Sequence, residues 1–245
     1  MKLRVLDLFS GIGGFSLGLE RTGGFETVAF CEIEEFPRRV LKKHWPEVPC
    51  YHDVTTLEHS GPVDVVTAGF PCQDISIANQ VATGLAGERS GLFWYILRTV
   101  CMVGRPKLLL ENVAELLNRG MGTVLGALSE IRYDTQWHCI PESSVGGSQE
   151  RDRVFIVADP SEVGATRLLT SADISAARQG RTGGKANLLD ISDAPFEPGD
   201  CHPQPLLRGM ACRIPARMDR VGGCGNAIDP HIATLLGNAI LEAMA

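Results

Sequence analysis

Apolar positions along the first 158 residues fall into short runs, which alternate with segments whose apolar residues recur every three or four positions. A short apolar run predicts a buried strand, and the longer period predicts a helix with one buried face. The predicted strands are Leu3–Leu8, Glu26–Cys31, Val63–Ala68, Lys107–Glu111 and Val154–Ala158. The predicted helices are Phe15–Thr22, Glu34–Lys43, Leu92–Met102, Val124–Ile131 and a last one from Pro230 onward. This alternation predicts an α/β fold, with a mostly parallel sheet covered by helices on both faces.

The pattern changes after Asp159. From there to about Gly209 the chain is rich in Gly, Pro, Ser and Asp, with no sustained periodicity. Such a composition predicts loops or a small inserted region. We therefore expect one large domain formed by residues 1–158 and 225–245, with a small region at 159–224.

Composition places the chain among ordinary globular proteins. It has 245 residues, of which 44% are hydrophobic and 21% charged. No apolar run reaches the roughly 18 residues that span a bilayer, and the N-terminus lacks the features of a signal peptide. We therefore expect a cytoplasmic protein without a membrane segment.

The net charge of −6 argues weakly against a nonspecific coat for nucleic acid. The same net charge is compatible with an enzyme that acts on DNA through a local basic surface. One candidate surface, with the alternative of a solvated loop, consists of Arg208, Arg213, Arg217 and Arg220.

Eight cysteines include no CxxC pair, and we expect mostly reduced thiols. Three of them lie near His202, but their spacing matches no common zinc pattern, and no metal site is predicted. These three are Cys201, Cys212 and Cys224.

A glycine-rich turn follows the first strand, in the segment Asp7–Gly14. Glycines there let the backbone approach a ligand at the start of a helix. Ser16 stands where a dinucleotide-binding turn has its third glycine, which makes a nicotinamide cofactor less favoured than another nucleoside. Glu32 follows the second strand, where a carboxylate can bind ribose hydroxyls, and Asp53 could face an adenine. Either carboxylate could instead cap a helix or lie on the surface.

Cys72 lies in the segment GFPCQDIS, directly after the third predicted strand. Open α/β sheets bind ligands at the carboxyl ends of their strands. Taken alone, a free cysteine is more often a buried, inert side chain than a nucleophile. Glu111 shifts this balance, because it leaves a buried strand at the same edge, where desolvation raises the pKa of a carboxyl group.

Two arginines lie before the last predicted strand of the large domain. Alternation places Arg151 and Arg153 on one face of that segment, together with Gln149. Two guanidinium groups on one face suit an anionic or carbonyl-bearing ligand, although a solvated strand edge has the same pattern.

Taken together, these segments resemble the DNA (cytosine-5)-methyltransferase family. The matching segments occur in the order of that family over residues 1–158 and the last 25 or so: DLFSGIGG, Glu32, Asp53, GFPCQDIS, RSGLFW, LLLENV, QERDRVFIV and GNAIDP. The resemblance implies a Rossmann-like methyltransferase fold, S-adenosylmethionine as methyl donor, and a cytosine flipped out of duplex DNA as acceptor. The small region at 159–224 would then recognise the target.

The resemblance also implies roles for individual residues. Cys72 would be the nucleophile, Glu111 would bind nitrogen 3 and the amino group of cytosine, and Arg153 would contact its carbonyl oxygen. Two further roles are hypotheses from position rather than from the resemblance: Gln73, beside Cys72, would fill the space that the extruded base leaves, and Arg151 would act together with Arg153. Donor binding would involve Phe9, Ser10, Gly11, Gly13, Gly14, Glu32, Asp53, Val54, Pro71, Leu92, Asn226 and Ile228.

The chain departs from the family in its short recognition region and in RGMACRIPARMDRVGG, which stands where an Arg-Leu-Thr segment is usual. In this it resembles the compact members from phages and bacteria. Methylation of tRNA, a catalytically silent binding module and a cysteine hydrolase are the alternatives. We expect a monomer, with a restriction endonuclease as a possible partner in a restriction–modification system.

Overall fold

The computed structural model describes residues 1–71, 91–118, 120–145, 152–160 and 227–244. Its described strands form one seven-stranded sheet, in the order β3-β2-β1-β4-β5-β7-β6. They are β1 (Leu3–Leu8), β2 (Phe25–Cys31), β3 (Cys50–Tyr51), β4 (Val65–Gly69), β5 (Lys107–Val113), β6 (Tyr133–Pro141) and β7 (Asp152–Pro160).

Helices connect the strands. The described α-helices are α1 (Gly14–Arg21), α2 (Glu35–His44), α3 (Leu92–Met102), α4 (Met121–Glu130) and α5 (Pro230–Met244). Two short 3-10 helices span Ala114–Leu117 and Glu142–Val145. Within the described ranges, no helix is both long and apolar enough to cross a membrane.

Apolar side chains cover both faces of the sheet. On one face, Leu6 and Leu8 of β1 join a core cluster with residues of α3 and α4. On the other face, Val5 packs in a cluster with residues of α1 and α5. Neighbouring positions of one strand serve opposite cores because side chains alternate along a strand. The expected α/β fold with helices on both faces is thus confirmed.

The strand directions create a cleft at one edge of the sheet. β1 pairs in parallel with β2 on one side and with β4 on the other, and β4 pairs in parallel with β5. Only β7 is reversed among the described strands, since it pairs antiparallel with both β5 and β6. The chain leaves β1 toward β2 and returns later to β4, and such a switch in direction opens a crevice beyond the carboxyl ends of the strands.

Strand β6 was not predicted. It forms an edge of the sheet, and its exposed positions include the polar Asp134 as well as Trp137 and Cys139. A strand with polar residues on both faces lacks the alternation that identifies a half-buried strand. β5 also runs to Val113, two residues beyond its predicted end at Glu111, so Glu111 lies inside the strand rather than at its end.

Helix α1 packs closely against the start of α5 and the residues just before it, with glycines of α1 at the points of contact. A Cβ atom at Gly14 would lie 2.3 Å from the carbonyl oxygen of Ile228, and one at Gly18 would lie 2.2 Å from that of Pro230. The Thr234 hydroxyl donates to the Gly18 carbonyl at 2.8 Å. This contact, the α1–α5 seam, places Ile228 at the same edge of the sheet as the glycine-rich turn.

Candidate active site

The segment Phe9–Gly14, here called the glycine turn, links β1 to α1. Phe9, Gly11 and Gly13 adopt positive φ angles of 52°, 52° and 88°. The Gly13 amide donates to the Ser10 carbonyl at 2.9 Å, which closes the turn. No atom of the described residues lies within 4 Å of the position that a Cβ atom on Gly11 would take, so within this part of the chain the turn presents open backbone at this point.

Two hydrogen-bonded side chains hold the glycine turn to β2. Glu32 follows β2 and is buried, and its Oε2 accepts from the Gly11 amide at 2.7 Å. Its Oε1 accepts from the Glu34 amide at 2.8 Å. The Ser10 hydroxyl donates to the Asp7 carbonyl at 2.6 Å and accepts from the Cys31 amide at 3.2 Å. Glu32 is therefore fixed directly beside the turn, as a ribose ligand would have to be.

A buried carboxyl group lies beneath the turn. Asp7 is 1% exposed. Its Oδ1 accepts from the Thr67 hydroxyl of β4 at 2.6 Å, and its Oδ2 accepts from the Ser16 hydroxyl of α1 at 2.8 Å. Burial raises the pKa of Asp7 to about 7, although both hydroxyl donors act to lower it. Ser16 thus has a structural reason to replace the third glycine, since a glycine would lack the hydroxyl that donates to Asp7 Oδ2.

Beyond β2 and β3 lie the other residues predicted to bind a nucleoside. The Asp53 carboxylate accepts from the Thr55 amide at 2.8 Å, and this bond lowers the pKa of Asp53. Val54 is buried in the core beside it. Ile33, which follows Glu32 directly, is 57% exposed. An exposed isoleucine next to a buried carboxylate is suited to a ligand with an apolar ring and hydroxyl groups.

The second part of the site lies where β4, β5 and β7 meet. Glu111 of β5 stands opposite Phe155, and Arg153 of β7 stands opposite Val113, so the two charged residues are diagonal neighbours. Arg153 Nε lies 2.7 Å from Glu111 Oε1. The two side chains are 18% and 10% exposed respectively. A charged hydrogen bond at this depth holds both groups in defined positions.

The end of β4 lies beneath this Glu111–Arg153 pair. A Cβ atom at Gly69 would lie 3.1 Å from Glu111 Oε2 and 3.3 Å from Ile228 Cδ1. The buried Asn112 donates through Nδ2 to the Phe70 carbonyl at 2.8 Å. Two neighbouring residues of β5 therefore contact the end of β4, and the chain continues from there through the exposed Pro71 to Cys72.

The structure brings most of the predicted residues to one edge. The glycine turn, Glu32, the Glu111–Arg153 pair and Ile228 all lie at the carboxyl ends of β1, β2, β4 and β5. Phe9 and Leu92 are half-buried and pack against the core on the α3 side of the sheet. Four predicted residues lie outside the described part of the chain, namely Cys72, Gln73, Arg151 and Asn226. The Cys201, His202, Cys212 and Cys224 cluster and the basic cluster of Arg208, Arg213, Arg217 and Arg220 also lie outside it.

Several residues of this edge were not predicted. Asp7 and Thr67 are polar side chains within strands that are otherwise buried, and an aspartate inside an apolar run is a visible signal. Gly69 at the end of a strand signals the close approach of another group. Asn112 carries no such signal, because its role depends on the position of Phe70, which directly follows the neighbouring strand β4.

Comparisons with known proteins agree with this geometry. A family model for C-5 cytosine-specific DNA methylase matches residues 3–186. The chain is 37% identical over 173 residues to the type II methyltransferase M2.BsuMI of Bacillus subtilis (strain 168), an alignment that covers 66% of this chain and 44% of the relative. It is 32% identical over 176 residues to the type II methyltransferase M.Sau3AI of Staphylococcus aureus, with 63% and 43% covered. The aligned part thus spans less than half the length of these relatives.

A solved structure has the same fold. A DNMT2 mutant from Spodoptera frugiperda superimposes with a TM-score of 0.55 and 23% sequence identity. The superposition covers 69% of this chain and 54% of the other. At this identity the likeness supports the fold and leaves the chemistry to be argued from the site.

Proposed function

The chain belongs to the C-5 cytosine-specific DNA methylase family, and on that premise we propose that it transfers a methyl group from S-adenosylmethionine to carbon 5 of cytosine in duplex DNA. The observation that carries the proposal is the Glu111–Arg153 pair over the end of β4. A buried carboxylate and a guanidinium group, held together beside the strand that leads to Cys72, match the polar edge of a cytosine. The cytosine ring would present nitrogen 3 and its amino group to Glu111, and the neighbouring carbonyl oxygen to Arg153.

In the proposed reaction Cys72 is the nucleophile. Its thiolate forms a bond to carbon 6 of the ring, and the displaced electron pair makes carbon 5 nucleophilic. Glu111 stabilises the charge that develops at nitrogen 3, while Arg153 donates to the carbonyl oxygen. Carbon 5 would take the methyl group, while the electron pair of the broken C–S bond stays on the donor sulfur as a neutral thioether. A base would then remove the proton from carbon 5, and the returning electron pair would expel the Cys72 thiolate. Covalent catalysis of this kind divides one difficult step into easier ones.

The donor would lie across the glycine turn. When bound, S-adenosylmethionine supplies an electrophilic methyl group on a positively charged sulfur. Glu32 is placed to accept from ribose hydroxyls beside the Gly11 amide, and Ile33 offers an exposed apolar surface for the adenine. We assign to the same site the residues that the family resemblance implied, with Asp53 and Val54 near the adenine and Asn226 and Ile228 closing the pocket.

The cytosine must leave the duplex to reach Glu111, because that side chain is only 10% exposed. Extrusion of a base costs a few kcal/mol, and contacts in the pocket offset this cost. We propose that Gln73 fills the vacated space and that Arg151 assists Arg153. We also propose that residues 159–224 recognise the target, and that the protein acts as a cytoplasmic monomer beside a restriction endonuclease.

Labelled S-adenosylmethionine tests the proposed function. The full chain is incubated with the labelled donor and either duplex DNA or tRNA, and the modified cytosines are mapped by bisulfite sequencing. Label in duplex DNA, at carbon 5 of cytosine, is the expected result. Label in tRNA only, or in neither polymer, contradicts the proposal.

Replacement of the nucleophile tests the mechanism within the same assay. Cys72→Ala is expected to abolish label transfer, because no thiolate remains to activate the ring. Cys101→Ala is the matched control, since Cys101 is an exposed thiol on α3 and its loss is expected to leave transfer unchanged. A Cys72→Ala protein that still methylated DNA would exclude the covalent route.

A further inference from the structure

Trp45 lies directly after α2 and contacts the glycine turn at Gly13. Its indole Nε1 donates to Glu20 Oε2 at 3.0 Å. The other oxygen of the same carboxylate, Oε1, accepts from the Thr27 amide of β2 at 2.9 Å. An indole has a single N–H donor, so this bond fixes the direction of the ring relative to both α1 and β2.

The ring contacts the glycine turn itself. A Cβ atom on Gly13 would lie 2.8 Å from both Cη2 and Cζ3 of Trp45, and 3.1 Å from Leu41 Cδ2. The Trp45 ring also packs edge-on against Phe30, with 5.3 Å between ring centroids. The indole is thus held between β2 and the Cα atom of Gly13.

Gly13 is the point at which the turn becomes a helix. It precedes the first residue of α1 with a left-handed backbone, and its carbonyl accepts from the Leu17 amide at 2.9 Å. A glycine has no side chain to restrict this conformation. Besides the bond from the Gly13 amide to the Ser10 carbonyl, packing from outside the turn restricts this point, and the nearest side-chain atoms belong to Trp45 and Leu41.

We propose that Trp45 is a positioning residue for the methyl donor, acting through Gly13 to hold the glycine turn in the conformation that binds it. The inference rests on the proposed function, because it takes S-adenosylmethionine as the ligand of the turn. Removal of the indole leaves space behind Gly13, and the turn can then relax away from Glu32. The donor consequently binds more weakly, while Glu111 and Arg153 on the other strands keep their arrangement.

Isothermal titration calorimetry of the full chain with S-adenosylmethionine, in the absence of DNA, tests this directly. Trp45→Ala is expected to weaken donor binding about 10- to 100-fold, the range that follows from small displacements of a binding group. The KM for the donor should rise in parallel, with kcat at saturating donor within about twofold of the wild type. Trp45→Phe should recover part of the affinity, because it restores the ring contact but not the bond to Glu20.

The matched control is Trp137→Ala, which removes a 45% exposed tryptophan from the edge strand β6. It should leave donor affinity unchanged. Equal affinity in Trp45→Ala and the wild type overturns the inference, as does a loss confined to kcat. If the wild type itself binds no S-adenosylmethionine, the proposed donor is wrong and the inference fails with it.

Fluorescence decides the question if Trp45→Ala does not fold. The sequence contains three tryptophans, so the double variant Trp94→Phe, Trp137→Phe leaves Trp45 as the only one. Addition of donor should change its emission, and the titration should give the dissociation constant that calorimetry gives. Unchanged emission during binding that calorimetry detects means that the turn and the indole are not coupled, and overturns the inference.

Discussion

The candidate site has two halves, and different kinds of chemical group form them. On the β1–β2 side the site consists of backbone: a closed glycine turn, amide groups held by Glu32, and Trp45 packed behind Gly13. On the β4–β5–β7 side it consists of charged side chains from separate strands, with the Glu111–Arg153 pair at its centre. A backbone turn suits a ligand that has to be held in one position, whereas placed charged side chains suit a ring on which charge develops during the reaction.

The largest expected effect comes from removing the charge on the second half alone. Glu111→Gln keeps the shape of the side chain but removes the carboxylate, and methylation should fall about 10²- to 10⁴-fold, the usual contribution of a positioned acid or base. Affinity for S-adenosylmethionine should stay within about twofold, because the glycine turn is untouched. Label transfer and calorimetry measure the two quantities.

The matched control for this variant is Glu115→Gln. Glu115 lies on the 3-10 helix that follows β5 and is exposed, and its replacement should leave both quantities unchanged. If Glu111→Gln lost donor binding and kept methylation, the division into two halves would be wrong.

The buried Asp7, which lies beneath the glycine turn, should make the free energy of unfolding depend on pH. Because its pKa in the folded protein is raised to about 7, the folded state keeps a proton that the unfolded chain releases near pH 4. Stability should therefore fall as pH rises from about 4 to 7, by about 4 kcal/mol in all from this group. Asp7→Asn has no carboxyl group to titrate, and the Ser16 and Thr67 hydroxyls can rotate to suit its amide.

Urea unfolding of the wild type and Asp7→Asn between pH 4.5 and 8 measures this effect. The free energy of unfolding of the wild type, relative to the variant, should decrease through this range and level off above about pH 7. Other titrating groups are common to both proteins and cancel in the difference. A difference that stays constant with pH would falsify the assignment of this carboxyl group as the titrating one.

A smaller effect is expected at the α1–α5 seam, which joins the halves. In Gly18→Ala the new methyl group would meet the Pro230 carbonyl and the Ala233 side chain, and overpacking of this kind costs about 1–3 kcal/mol. Gly126→Ala is the control, because Gly126 lies in the helix α4 and no atom of the described residues is within 4 Å of its Cβ position. That variant should gain about 0.5–1 kcal/mol. A gain in stability for Gly18→Ala similar to that for Gly126→Ala, measured by urea unfolding, would show that α1 and α5 are not in close contact.

The sequence was informative where the signal is local. The apolar runs located five of the seven described strands approximately, namely β1, β2, β4, β5 and β7, and the glycine turn and Glu32 lie where they were expected. Contacts between segments that are distant along the chain could not be predicted from the sequence. The bond from Asn112 to Phe70, the position of Trp45 behind Gly13 and the edge strand β6 depend on the finished arrangement of the sheet.

The family resemblance supplied what spacing could not. Cys72 alone could as well have been an inert thiol, and its proposed role depends on Glu111 and Arg153, which the structure brings together above the strand that leads to it. The roles of Cys72, Gln73, Arg151 and Asn226 stay predictions, because they lie outside the described residues.

The most direct test of the covalent mechanism uses duplex DNA in which 5-fluorocytosine replaces cytosine. Fluorine at carbon 5 cannot leave as a proton, so the cysteine cannot be expelled after methyl transfer. With S-adenosylmethionine present, the covalent mechanism predicts a protein–DNA adduct that survives denaturation and maps by mass spectrometry to the peptide containing Cys72. An adduct that persists in Cys72→Ala, or none at all from protein that methylates ordinary DNA, would contradict it.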